Sequence, residues 1–213
     1  MTATEKLLSV GSEPLAPKPE AMAELLRAYA LGPELFHMLQ KKNGFYAFES
    51  ALHVFPLTGN PETGLEGWNG GSLWRSDYEG LAEGLLFFAE DILQDQFCLS
   101  VKQPYVLRFH SETGETAFMA DSVDGWAEVV RSNYQSETGW PFVHEWQAKN
   151  GPLPLGKRLM PKTPFFLGGE YNLRNFWAGN SLEGMRFKAD LAKQTRNLPE
   201  GSTVKINIAP KPE

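Results

Sequence analysis

The residues best suited to covalent chemistry are Cys98 and His110, which the sequence places on two neighbouring predicted strands. Cys98 lies in the apolar run Phe97–Val101, and His110 ends an alternating segment in which it shares a face with Arg108. If these strands pair, the imidazole can approach the thiol, and a nearby cation lowers a thiol pKa. No third group that would orient the histidine stands out, and a lone buried cysteine usually behaves as a small apolar residue. We therefore expect Cys98 to have a structural role. The alternative is an enzyme that uses Cys98 and His110.

Three carboxylates, Glu90, Asp91 and Asp95, fall in one polar turn between two apolar strands. Such clusters can act as general acid and base, hold a metal ion or attract a basic partner. The Asp-x-x-x-Asp spacing matches no EF-hand loop. A solvated turn without function is the simplest interpretation. Among functional interpretations, recognition of a partner requires the least defined geometry, so we predict Glu90, Asp91 and Asp95 as partner-binding residues and keep catalysis by them as the alternative.

Composition and charge exclude several classes of function. The 213 residues carry 20 Lys and Arg against 26 Asp and Glu, a formal net charge of −6, which argues against binding nucleic acid through its phosphates. The single cysteine permits no internal disulfide and no multi-cysteine metal site. No apolar run reaches the ~18 residues of a membrane span. We expect a cytoplasmic protein without a metal or cofactor, whose acidic balance permits a basic protein partner.

Two further polar segments are expected to be structural. The glycine-rich segment 67–72 lacks the Lys and Ser or Thr of a phosphate-binding loop, and we predict an ordinary loop around Trp68. Lys157, Arg158 and Lys162 form a basic patch that is too small for nucleic acid. We expect this patch to be exposed to solvent.

The elements that must position these residues begin with an N-terminal arm. Residues 1–18 contain two prolines and little apolar periodicity, which predicts a flexible or draped arm. Two amphipathic helices are predicted next, and the second runs from Pro33 to a cap at Asn43-Gly44. Residues 45–55 alternate apolar and polar side chains and predict one half-buried strand.

The middle of the chain predicts an antiparallel sheet. Successive apolar or alternating segments are joined by short turns, which favours antiparallel pairing, and these segments cover 85–89, 97–101, 105–110 and 116–120. Helices are predicted to begin after Asp121-Ser122 and near residue 138. This order of helices, strands and helices predicts an α+β fold rather than a parallel βαβ sheet.

The last sixty or so residues predict a strand at 163–167, a helix over 182–196 and a final strand at 204–208. The helix is apolar on two sides, because Phe187 and Leu191 lie opposite its main stripe. Such a helix is either sandwiched within the fold or presents one side to a partner. We favour the sandwich, and burial of both side chains would exclude the partner face.

The order and spacing of these segments resemble the SUKH superfamily, which includes the yeast cell-wall regulators of Smi and Knr type and bacterial toxin-immunity proteins. The family commonly has a glycine between its two central strands, where this chain has Ile92–Asp95. A turn that needs positive φ is strained without glycine, so we expect a reshaped loop here. The segments that carry the resemblance are Pro33–Phe45, Leu86–Asp91, Gln96–Leu99, Val106–Glu115 and Asp121–Trp126.

The resemblance covers about residues 19–135 and implies an α+β fold, with a mainly antiparallel sheet flanked by helices. It also implies a non-enzymatic protein that binds a protein partner, in many bacterial members a toxin that is neutralised. It supplies no catalytic, metal-binding or cofactor-binding residues. We take residues 1–18 as the flexible arm, 19–149 as the SUKH-like core, and 150–213 as a C-terminal helix-plus-strand extension packed on the same domain, as in longer bacterial members.

Overall fold

The computed structural model describes residues 1–60 and 62–197. The helices are α1 (Ala3–Ser9), α2 (Glu24–Arg27), α3 (Gly32–Lys41), α4 (Leu65–Trp68), α5 (Val123–Ser132), α6 (Tyr134–Thr138), α7 (Trp140–Asn150) and α8 (Ser181–Thr195). The strands are β1 (Phe45–Ala47), β2 (Leu52–Val54), β3 (Leu85–Glu90), β4 (Gln96–Ser100), β5 (Val106–Phe109), β6 (Thr116–Ala120), β7 (Lys157–Pro161) and β8 (Phe176–Asn180). Short 3-10 helices cover Arg75–Tyr78, Phe165–Leu167 and Leu173–Asn175.

The main sheet contains β1 to β6 in chain order, and every neighbouring pair is antiparallel. Strand β3 is buried along its whole length, as its continuous apolar run predicts for a central strand. Strands β7 and β8 form a separate two-stranded antiparallel sheet. The predicted α+β fold, with a mainly antiparallel sheet flanked by helices, is confirmed.

The segment predicted as one strand over 45–55 folds as a hairpin of β1 and β2. The backbone reverses at Phe48, Glu49 and Ser50, whose φ angles are 53°, 55° and 71°. Consecutive positive φ angles are costly for residues with a side chain, so neither residue type nor periodicity indicated a turn here. The prediction of a single strand is wrong because the tertiary contacts of the two short strands outweigh this local preference.

The N-terminal arm predicted over 1–18 contains a helix, which corrects the expectation of flexibility. Thr2 caps α1 by accepting a hydrogen bond from the Glu5 backbone N–H, and the Glu5 carboxylate accepts one from the Thr2 N–H. This reciprocal pair satisfies two backbone donors that a helix start leaves open. Leu7 is fully buried, and the Thr4 N–H donates to Asp124 at the start of α5. Packing of the short apolar face of α1 therefore orders the start of this segment. The two prolines on which the expectation of flexibility rested lie after the helix.

The helices cover the sheet with the apolar stripes that the sequence predicts. Met38 of α3, Trp126 of α5 and Met185 of α8 all belong to one continuous core with the sheet, and the Trp126 ring lies edge-on to Phe88 with centroids 4.8 Å apart. A second, smaller core joins α7 and the two-stranded sheet to the β3–β4 turn, and it is formed by Ala51, Ile92, Val143, Leu153, Leu159 and Phe176.

In the C-terminal region the structure contains the predicted helix but not the strand predicted at 163–167. Helix α8 begins at Ser181 and ends at Thr195, one residue earlier at each end than the predicted 182–196. Residues 163–167 form no strand, because the backbone turns through the 3-10 helix and ends it at Gly168 with φ at 86°. The strand predicted at 204–208 lies outside the described residues.

The sandwich prediction for α8 agrees with the burial of its second apolar side. Leu191 is 1% exposed, and Phe187 is half-buried. Leu191 therefore supports the sandwich, whereas Phe187 meets the condition for excluding a partner face only in part.

Candidate functional site

An open cleft of about 880 Å³ lies where the β3–β4 turn, the β5–β6 turn, α8 and the loop after β7 meet. We call it the Asp95 cleft. Its floor carries charged side chains, namely Asp91, Asp95, Arg108, His110 and Lys188. One wall is aromatic and consists of Phe142, Phe165, Phe166 and Tyr171. The structure thus brings two of the three predicted carboxylates, together with His110, into one concave site.

The β3–β4 turn holds Asp91 and Asp95 through its own backbone. One Asp91 oxygen accepts hydrogen bonds from the N–H groups of Leu93 (2.8 Å) and Asp95 (3.0 Å). The turn places Gln94 at a positive φ of 72°. The Gln94 amide donates to the Ser181 carbonyl at 2.7 Å, so a contact with α8 holds this residue in a backbone conformation that glycine would adopt more easily.

Gly184 allows this contact between the turn and α8. A Cβ atom added at Gly184 would overlap the amide of Gln94. A side chain at position 184 would therefore displace the Gln94 amide and break its hydrogen bond to the Ser181 carbonyl.

Arg108 of β5 connects the two aspartates to α6. Its guanidinium donates to Asp91 at 3.0 Å and to the Glu137 carboxylate at 2.8 Å, and it lies 3.7 Å from an Asp95 oxygen. His110 donates through Nδ1 to the same Asp95 oxygen at 3.0 Å, because an ionised carboxylate can only accept. The imidazole remains 42% exposed and faces the cleft.

Ser111 and Lys188 complete the floor. The Ser111 hydroxyl donates to Asp95 at 3.1 Å and accepts from the Lys188 ammonium at 3.0 Å. Lys188 also donates to the Leu93 carbonyl. Ser111 is fully buried and Lys188 is 2% exposed, so this pair braces the floor of the cleft through contacts within the protein.

The electrostatic environment shifts the pKa values of the two aspartates in opposite directions. Burial and the charge of Asp95 raise the pKa of Asp91 to about 7. Burial also opposes ionisation of Asp95, but the hydrogen bond from His110 and the charge of Lys188 hold its pKa below the ordinary value. The same hydrogen bond raises the pKa of His110, whereas burial lowers the pKa of Lys188.

Glu112, at the β5–β6 turn, joins the charged floor to the aromatic wall. One carboxylate oxygen accepts the Phe166 N–H at 3.2 Å, and the other is buried without a hydrogen-bond partner among the described residues. Burial raises the pKa of Glu112. Beside it, the rings of Phe165 and Tyr171 are stacked with centroids 3.9 Å apart, and Tyr171 is 61% exposed.

Glu90, the third predicted partner-binding residue, does not reach the surface. It is 1% exposed and accepts hydrogen bonds from Arg158 at 2.9 Å, from Ser181 at 2.7 Å and from His53 at 3.1 Å. Burial opposes its charge, but the Arg158 guanidinium and the His53 hydrogen bond hold its pKa at about 2. Glu90 is therefore a structural charge between the two sheets, and its assignment to partner binding is corrected.

The same burial corrects two other expectations. Asp91 is only 4% exposed, and both its oxygens are occupied, so of the three carboxylates only Asp95 borders the cleft with an accessible side chain. Arg158, expected in a solvent-exposed basic patch, is 1% exposed. A carboxylate or guanidinium looks the same in sequence whether it is solvated or paired in the interior, which is why these positions were misjudged.

Cys98 lies in the core, and the Cys98–His110 pair does not form. Its partner across the sheet is Leu107, whose carbonyl accepts from the thiol at 3.6 Å. Burial raises its pKa well above the ordinary value, which disfavours the nucleophilic thiolate. The expectation of a structural Cys98 agrees with this burial.

We expect the Cys98 thiol to react with a disulfide reagent on the order of 10³-fold more slowly in the folded protein than in urea, because exposure requires unfolding. Absorbance of the released thiolate measures both rates. Rapid reaction in buffer without urea would contradict the burial of Cys98.

Lys188 and Glu112 are among the residues of the site that sequence reasoning missed. Lys188 interrupts an amphipathic pattern on α8, and Glu112 lies in a polar hairpin turn, where a solvated charge is ordinary. Neither position carries a local signal, because their roles come from segments distant in the chain.

Two kinds of feature are absent from the described residues. No group of three or more His, Cys, Asp or Glu side chains that could hold a metal ion occurs in residues 1–60 and 62–197. Within the same ranges, no helix has both the length and the apolar character needed to cross a membrane.

Comparisons with known proteins support the fold alone. A scan against protein-family models found no match, and a search of curated proteins found none. Among solved structures, the chain is similar to the crystal structure of Atu4351 from Agrobacterium tumefaciens, with a TM-score of 0.58 and 14% sequence identity over 87% of each chain. The α+β arrangement is therefore shared with an experimental structure.

Proposed function

We propose that this protein is a non-enzymatic binding module that receives a Lys or Arg side chain of a protein partner in the Asp95 cleft. The observation that carries this proposal is the second carboxylate oxygen of Glu112, which is buried in the cleft without a donor from the described part of the chain. A buried acceptor without a partner is costly, and a cationic donor from a partner would satisfy both the hydrogen bond and the charge.

The surroundings of Glu112 favour a cation. The cleft lining contains four acidic side chains, Asp91, Asp95, Glu112 and Glu115, against three basic ones, Arg108, His110 and Lys188. Tyr171, which is stacked on Phe165 and 61% exposed, lies in the same wall. Aromatic faces attract ammonium and guanidinium groups, so the wall and the carboxylates favour the same kind of side chain.

The side chains that could react already make hydrogen bonds within the protein, and this supports binding over catalysis. Within the described residues, the Ser111 hydroxyl is held between Asp95 and Lys188, and Asp91 is held by Arg108 and two backbone donors. A general acid or base must reach the proton that it transfers. The strongest support for the catalytic alternative is that the pKa values of Asp91 and Asp95 differ, a pattern found in acid–base pairs, but both oxygens of Asp91 are already occupied by protein donors.

The proposed partner is basic, and a toxin neutralised in the cytoplasm is one such partner. The formal net charge of −6 supports this version of the proposal, because complementary charge accelerates encounter between proteins. The immunity role would fail if the product of an adjacent toxin-like gene, where the genome has one, did not form a complex with this chain.

The test uses NMR of the isotope-labelled full chain with short acetylated and amidated peptides. We expect Gly-Lys-Gly and Gly-Arg-Gly to shift the resonances of Glu112, Phe166 and Tyr171, and Gly-Glu-Gly to leave them unchanged. Glu112→Gln keeps an acceptor for the Phe166 N–H and removes the charge, so it should weaken the basic peptides about tenfold.

Glu145→Gln is the matched control, because Glu145 is exposed on α7 and pairs only with Lys149 within the described residues. We expect this variant to bind the basic peptides like the unmodified protein. Equal binding of acidic and basic peptides, or unchanged affinity in Glu112→Gln, would reject the proposed function.

A further inference from the structure

A second cleft, independent of the Asp95 cleft, opens beside the β1–β2 hairpin. Its volume is about 510 Å³, and its lining includes His53, Tyr46, Ala16, Thr58 and Thr63. This size lies within the range of roughly 300–1,000 Å³ that small-molecule sites occupy. None of the charged residues of the described chain lines it.

His53 borders this cleft with an unused acceptor. The side chain is 2% exposed, and its Nε2 atom is buried without a hydrogen-bond partner among the described residues. Its other ring nitrogen, Nδ1, lies 3.1 Å from Glu90. Since Glu90 is an ionised carboxylate and can only accept, the proton is on Nδ1 and the lone pair is on Nε2.

The imidazole is held in one orientation. The Tyr46 ring stacks on it with centroids 4.3 Å apart and an interplanar angle of 11°, and Phe55 meets it edge-on at 4.7 Å. With Nδ1 bound to Glu90, the ring cannot turn to give Nε2 another partner. The acceptor is therefore preorganised, and a ligand would lose little free energy in ordering it.

The lining defines the chemistry of the ligand. A ligand must bring a hydrogen-bond donor for Nε2, and the absence of charged lining side chains in the described chain favours an uncharged one. The hydroxyls of Thr58 and Thr63 make no hydrogen bond within the described residues, and each can both donate and accept. Hydroxyl groups on the ligand match all three positions.

We propose that this cleft binds an uncharged, hydroxyl-bearing small molecule of the polyol or sugar class, which donates one O–H to Nε2 of His53. The remaining ligand hydroxyls exchange hydrogen bonds with Thr58 and Thr63. The aliphatic surfaces of the cleft, including Ala16, contact the carbon skeleton.

The test is a titration of the full chain, labelled with ¹⁵N-histidine, with methyl α-glucoside as the probe. We expect a saturable shift of the His53 Nε2 resonance toward that of a hydrogen-bonded acceptor. N-methylacetamide, an uncharged amide donor of small size, should give no saturable shift. If both probes saturated equally, the assignment of the ligand to a hydroxyl-bearing class would be wrong. If methyl α-glucoside left the resonance unchanged, the proposal would also fail, because only water would then form a hydrogen bond with Nε2.

Ala16→Trp provides the variant, because it fills the cleft without touching the buried Glu90 hydrogen bonds. We expect it to weaken methyl α-glucoside at least tenfold, whereas Ala117→Trp on the exposed part of β6 should leave the shift unchanged. Binding that persists in Ala16→Trp would place the probe elsewhere and overturn the proposal. Failure here leaves the function proposed for the Asp95 cleft unaffected, because the two clefts share no lining residue.

Discussion

Arg158→Met should destabilise the protein by about 3–5 kcal/mol, because it leaves the Glu90 carboxylate buried without its cation. Both residues are 1% exposed, and their side chains join β7 to the end of β3 through a hydrogen bond of 2.9 Å. Glu90 also accepts from His53 and from Ser181 at the start of α8. Loss of the cation therefore weakens the attachment of the C-terminal region to the main sheet.

A double-mutant cycle separates the charge effect from lost packing. Glu90→Gln removes the carboxylate charge and keeps an acceptor, and the double variant with Arg158→Met contains neither charge. We expect the double variant to lose clearly less stability than the two single losses added together. Urea denaturation at pH 7 measures all four proteins.

Arg131→Met is the matched control for this cycle. It removes an exposed ion pair of 2.8 Å with Glu128, and surface pairs contribute less than about 1 kcal/mol. If Arg158→Met were no more destabilising than Arg131→Met, the buried pair would not be structural.

Asp91→Asn should change how stability depends on pH. The raised pKa of Asp91, about 7 in the folded protein against 3.8 for the free group, means that the folded state holds a proton that the unfolded state releases. Stability from this group is therefore fully present below pH 4 and falls as pH rises toward 7. We expect Asp91→Asn to match the unmodified protein near pH 4 and to exceed it near pH 8 by up to about 4 kcal/mol.

Unfolding by urea at pH 4, 6 and 8 checks this expectation. The groups that face Asp91 are Asp95, Arg108 and Lys188, and all three are retained in the variant. Glu145→Gln is the control, because it removes an exposed carboxylate outside the cleft. A constant difference between Asp91→Asn and the unmodified protein from pH 4 to 8 would show that Asp91 is ionised throughout.

Much of the secondary structure could be predicted because its signals are local. The stripe on α8 and the apolar run of β3 appear within a few residues of sequence, and the short turns from β3 to β6 allow only antiparallel pairing. The helix α1 and the β1–β2 reversal were missed for opposite reasons. Helix α1 is short and depends on packing against α5, and the reversal at Phe48–Ser50 uses positive φ angles at residues that disfavour them.

The candidate site could be predicted only in part. The cluster of Asp91 and Asp95 is local and was recognised, but its exposure was misjudged. Ser111 and Lys188 are 77 positions apart, and Glu90 and Arg158 are 68 apart. No spacing rule connects such residues, because their contact depends on how α8 and the two-stranded sheet pack on the main sheet.

The sequence by itself determined the α+β class, the order of the strands from β3 to β6 and the apolar faces of the helices. These features follow from side-chain periodicity, which short-range geometry translates directly into helices and strands. Only the tertiary structure decided which charges are buried, which carboxylate borders a cleft and which acceptors lack a partner. The physical reason is that the cost of burying a charge depends on groups brought from distant parts of the chain.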